Sequence, residues 1–148
     1  MNTFLPFPDF GHSAAILDTK RLGKQRVEAW QILNALGGNT KGWVNHPATK
    51  LWAGHEYALC LYGIAMCDEW IARGYKDTMK PRFVLLMGGY SDTGMPPWLG
   101  NEKFHLSHQS NLVRKAPSHY LFFFNPPPDL PYEWTPTYVQ RESATVSS

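Results

Sequence analysis

One stretch in the middle of the chain sets the frame for everything around it. Between Ala48 and Arg73 the residues Leu51, His55, Ala58, Leu59, Tyr62, Met66 and Trp70 fall on a single face at helical spacing. Pro47 suits the first turn of such a helix, and Gly74 stands where a left-handed C′ residue would end it. At 1.5 Å per residue the predicted helix is roughly 40 Å long, enough to form the spine of a small domain.

Two further helices are predicted on either side of it. Ser13 is the expected N-cap of a helix from Ala14 to Leu36, stopped by Gly37-Gly38. Ala15, Leu22, Ala29, Leu33 and Leu36 form its apolar stripe, flanked by Ile16, Val27 and Trp30, with Arg26 in the middle. Lys20, Arg21, Lys24 and Glu28 lie on the opposite face. Asn101 is expected to cap a third helix from Glu102 to about Lys115, closed by Pro117. Pro6, Pro8 and Gly11 keep the first residues extended. Phe83 to Met87 reads as a short buried strand or a helical turn, and Gly88 through Pro97 as loop. After the phenylalanine run come Asn125-Pro126-Pro127-Pro128, Pro131 and Pro136, an extended segment expected to pack through Tyr132 and Trp134. The expectation is an all-α fold, a compact single-domain bundle of three main helices with irregular loops and a Pro-rich extended C-terminal segment. The domain spans 1–138 and a flexible tail 139–148, the last residues from 141 reading as frayed.

An apolar content of 43% over 148 residues is enough for a core without staples. Cys60 and Cys67 stand two turns apart on the central helix, roughly 10 Å along its axis, too far for a strain-free bridge. Free thiols and the absence of an export signal point to a cytoplasmic protein. No apolar run approaches the ~20 residues of a membrane span. The net charge of +2 demands no nucleic-acid partner by itself, so distribution matters more than the sum.

Lys20, Arg21, Lys24 and Arg26 fall close together with no acid among them. The first three can follow a phosphate backbone, although a solvated face balanced by Asp18 and Glu28 has the same composition. Arg26, inside the apolar stripe, requires a partner: a core carboxylate such as Glu56 or Glu69, or a ligand. On the third helix His105, His108, Asn111, Leu112 and Lys115 line one side, with Ser107, Ser110 and Arg114 beside them. His108, Ser110, Asn111, Arg114 and Lys115 suit hydrogen bonding to phosphates. Alternatively His105 and His108, with His46 or His55, could hold a metal for hydrolysis.

Four stretches resemble proteins of the pyrimidine-dimer DNA glycosylase family, of the endonuclease V type, and especially its shorter bacterial and phage relatives. They are Met1-Asn2-Thr3-Phe4-Leu5-Pro6, the run from Leu17 to Glu28, Asn45-His46-Pro47, and the run from Ser107 to Lys115. The run Cys67 to Thr78 resembles the proven enzyme itself. The resemblance implies a helical DNA-repair glycosylase with an AP-lyase step, needing no metal or cofactor. Its substrate would be duplex DNA with a damaged or modified pyrimidine, bound by a monomer. In that family an N-terminal α-amine attacks the sugar C1′ and forms an imine, a carboxylate on the first helix assists, and arginines on the first and last helices hold the duplex. Here the amine belongs to Met1, since Asn2 is too large for efficient removal of an initiator methionine. Arg26 matches the helix-1 arginine. The family's glutamate position falls at Gly23 or Leu22, so Glu28 is the substitute, unless it merely pairs with Lys24 at i, i+4. That departure keeps open a second reading, a DNA-binding module without the chemistry.

Overall fold

The computed structural model describes residues 2–134. It is helical, with seven helices and no strand among those residues. In chain order they are α1 (Phe10–Ile16), α2 (Thr19–Leu36), α3 (Pro47–Trp52), α4 (Glu56–Ala72), α5 (Lys80–Met87), α6 (Glu102–Lys115) and α7 (Pro117–Tyr120). The three long ones, α2, α4 and α6, stand where the main helices were expected, and α4 packs against α1, α2 and α5.

Two expected helices are each broken in two. The stretch Ala14–Leu36 is interrupted at Leu17 and Asp18, whose backbones are extended. Asp18 caps α2 by accepting from the Arg21 amide, and the Tyr120 hydroxyl both accepts from the Asp18 amide and donates to its carboxylate. A short acidic side chain held this way competes successfully with a continuous helix. Ser13 is therefore no cap; it is buried, and its hydroxyl exchanges hydrogen bonds with the Phe7 backbone. The long central helix is likewise divided at Ala53–His55, where Gly54 has φ +82°. The break turns Trp52 into the core, fully buried. It also leaves α4 about 26 Å long at 1.5 Å per residue. Arg73, just past α4, ties that helix to α1 by donating to the carbonyls of Ala14 and Ala15.

Phe83–Met87 is helical, within α5, and only Phe83 of the five is buried. Its ring fills the space above Gly63 on α4, where a Cβ would come within 2.5 Å of it. Asn101 caps α6 through the Phe104 amide as expected. The described part of the proline-rich segment turns at Pro128-Asp129 and then lies along α6, with Tyr132 and Trp134 against the core; Pro136 and the expected tail lie outside the described residues. Both cysteines are free and buried, and burial pushes the Cys60 and Cys67 thiols up to about 11 and about 12. No helix among the described residues is long and apolar enough to cross a membrane.

Candidate active site

The first residues run through the interior. Asn2, Thr3, Phe4 and Leu5 are all buried, and with no secondary structure of their own their backbone groups need side-chain partners. The Thr3 hydroxyl accepts from Trp52 Nε1 at 2.9 Å. The Phe4 amide donates to Gln25 Oε1 at 2.9 Å, and the Tyr62 hydroxyl lies between Gln25 Oε1 (2.6 Å) and the Phe4 carbonyl (2.9 Å). Burial raises the Tyr62 phenol well above its ordinary range, so it stays a donor. Leu5 is bracketed by two histidines of α6: its amide donates to His108 Nδ1 at 2.9 Å, and its carbonyl accepts from His105 Nδ1 at 2.7 Å. His105 Nε2 in turn accepts from the Gly100 amide at 2.9 Å. Both rings are neutral in this arrangement; burial lowers His105, and burial with the neighbouring His105 takes His108 down to about 3.

Where this segment meets α2 and the end of α6, a cleft of about 300 Å³ opens. Asn2, Phe4 and Gln25 lie on its inner side, and Glu28 and Tyr132 on its walls. The cations Arg21, Lys24 and Lys115 complete its lining. Glu28 Oε2 accepts both the Asn2 amide (3.3 Å) and Gln25 Nε2 (3.0 Å). Ion pairs among the described residues are Arg21–Asp18, Arg26–Asp77, Arg73–Glu69 and Lys80–Asp68, so Lys24 and Glu28 do not pair. Lys24 and Glu28 also border a second groove, walled by Trp70, Gly23, Val27 and Lys20. A Cβ on Gly23 would meet the Trp70 ring at 3.0 Å. Of the two positions where the resemblance expects a carboxylate, Gly23 is thus crowded by the aromatic ring beside it and Leu22 is fully buried.

Of the residues expected at the site, Glu28, Arg21, Lys24 and Lys115 are brought to one cleft, and Lys20 to the adjoining groove. Met1 lies outside the described residues. Arg26 has a structural setting: its Nη1 is 2.5 Å from Asp77 and its guanidinium lies 4.4 Å above the Trp70 ring. The partner is thus neither Glu56 nor Glu69. Burial alone would raise Asp77, but hydrogen bonds from the Lys80 amide, Arg26 and the Met79 amide hold it below the usual carboxylate range. His108, Ser110 and Asn111 are buried and cannot reach phosphate. The polar face of α6 instead holds the proline-rich segment. Ser110 Oγ accepts from the Leu130 amide, Asn111 Nδ2 and Arg114 Nη2 donate to the Leu130 carbonyl, and Ser107 Oγ accepts from the Glu133 amide. The four histidines do not gather: His46 caps α3 through the Ala48 amide, His105 and His108 serve Leu5, and no group of three or more candidate ligands forms among the described residues. Sequence reasoning missed Asn2, Phe4, Gln25 and Tyr132. Gln25 carried a signal, a polar residue three positions from Leu22 and four from Ala29 on the buried face.

No curated protein and no solved structure matches the chain. The family model described as pyrimidine dimer DNA glycosylase matches residues 1–82, which include the buried first residues, α2 with Gln25 and Glu28, and the Arg26–Asp77 pair. With more than half its length covered, this chain belongs to the pyrimidine dimer DNA glycosylase family.

Proposed function

We propose that the protein excises damaged or modified pyrimidines from duplex DNA and cleaves the resulting site, using an α-amine at Met1 as nucleophile and Glu28 as the assisting carboxylate. The observation that carries this reading is the bond from the Asn2 amide to Glu28 Oε2, in a cleft lined by three cationic side chains. Consecutive Cα atoms are about 3.8 Å apart, so an amine one residue before Asn2 would be within reach of that carboxylate. An α-amine of ordinary pKa, about 7.7–8.0, is partly unprotonated at neutral pH.

In the proposed step the amine lone pair bonds to C1′, and the glycosidic electron pair leaves with the base, which takes up a proton. Glu28 stabilises the positive charge developing on the sugar and accepts the proton released by the amine. Opening of the ring protonates O4′ and leaves an iminium at C1′. Removal of a C2′ proton then expels the 3′ phosphate, and water releases the amine. Lys24, Lys115 and Arg21, the last already paired with Asp18, supply the backbone-neutralising field.

The bare Gly23 favours a competing reading, a DNA-binding protein without chemistry. Borohydride reduction separates the two. A catalytic protein yields a covalent adduct on duplexes carrying abasic, dimeric or oxidised pyrimidine sites, and Glu28→Gln lowers adduct formation and turnover by about 100-fold, the scale of a lost acid–base group, with DNA affinity nearly unchanged. A protein that binds every duplex yet gives no adduct is a binder only.

A further inference from the structure

We infer that the Asn2 carboxamide is the base-reading group of the cleft, donating a hydrogen bond to a carbonyl oxygen of the pyrimidine lodged there; this rests on the part of the reading above that seats damaged DNA in the cleft, not on its chemistry. Asn2 is only 6% exposed. Its Oδ1 is occupied, accepting from the Thr3 amide at 2.8 Å, which fixes the orientation of the amide. Nδ2 is then a buried donor without a partner among the described residues. The Tyr132 phenol is close enough to feel this amide but lies outside hydrogen-bond geometry. A buried, unsatisfied donor is costly to keep and marks a place where a ligand completes the bonding.

The surroundings select the ligand. Beside Asn2 stands Phe4, an apolar ring that is 7% exposed, whereas Lys24 and Lys115 are exposed. An uncharged inner surface made of the Phe4 ring and the Asn2 and Gln25 amides, with one unfilled donor, complements a flat heterocycle bearing a carbonyl, while the exposed cations complement phosphates. Residue 2 therefore contributes to specificity through its side chain, apart from any role of the chain's amine.

Two replacements test this. Asn2→Asp keeps the acceptor for Thr3 and removes the donor; Asn2→Leu removes both without adding charge. Both are too bulky to promote loss of a preceding methionine, so residue 1 is unchanged. Affinity of the full chain is measured for a thymine-dimer duplex and for the same duplex with a tetrahydrofuran abasic analogue, alongside thermal melting. The expected result is that the ratio of the two affinities falls at least tenfold in both variants, with affinity for the base-free duplex of Asn2→Leu within twofold of wild type. An equal loss on both duplexes, or no loss on either, overturns the inference. A wild-type protein that binds the dimer but forms no borohydride adduct defeats the catalytic reading and leaves this one standing. A wild type that binds neither duplex defeats both.

Discussion

Gln25 does three jobs with one amide. Its oxygen satisfies the Phe4 amide and approaches Tyr62, and its nitrogen orients Glu28. Gln25→Leu would orphan a buried backbone donor, a loss of about 1–3 kcal/mol, and free the carboxylate to rotate. The expected outcome is a lowered melting temperature together with at least tenfold slower cleavage at saturating DNA; unchanged turnover in the folded variant would separate Gln25 from catalysis. Lys24 is the opposite kind of residue, exposed and unpaired with Glu28. Lys24→Ala should reduce the slope of log affinity against log salt by about one. An unchanged slope would assign it to the solvated face. The place of Arg26 in the apolar stripe calls for a core carboxylate or a ligand, and Asp77 answers its charge from 51 positions away. A single helix pattern reveals that a partner is required but not which distant carboxylate supplies it.

At the level of elements, α2 and α4 were legible because their apolar residues recur at helical spacing before a glycine stop, and α6 because Asn101 caps it and Pro117 closes it. The breaks at Asp18 and Gly54 were not, because each depends on a tertiary partner. Tyr120 grips Asp18, and Trp52 is drawn toward Thr3. The polar face of α6 was recognised as unusual but assigned to DNA. Its bonds go instead to the extended segment around Leu130, whose register no local pattern reports. The contact of α4 with α5 gives a sharp test. Gly63→Ala places a methyl where the Phe83 ring already stands. Overpacking of this kind costs about 1–3 kcal/mol, a drop of several degrees in Tm at about 2–4 °C per kcal/mol. A variant that melts like wild type would show that α5 can slide outward freely.

For the whole molecule, the cleft joins residues from both ends of the described chain, and the family match covers only one of those ends. Glu28 and the cationic face of α2 were legible; the lining supplied by Asn2, Phe4 and Tyr132 was not, since it exists only once the first residues are inside the fold. The histidine bracket around Leu5 makes that placement pH-sensitive. His108 is held neutral with its pKa lowered to about 3, so the unfolded chain binds the extra proton between its own value of about 6.5 and that point. Stability is complete above that unfolded value and should decline as pH falls through this window, by up to about 1.4 kcal/mol per pH unit for this group. Asp18 and Asp77, both held low, lose their contributions only further down, below the ordinary carboxylate value of 3.8. Denaturant titrations at pH 7, 6, 5 and 4 check the histidine window, and a flat profile would mean that His108 does not hold Leu5 as a neutral ring.

That bracket spans 100 and 103 positions of sequence. Because synthesis runs in the direction of rising residue number, Leu5 leaves the ribosome well before His105 and His108, its docking partners on α6. Leu5 therefore stays undocked on the growing chain for the 100 residues of synthesis that separate it from His105.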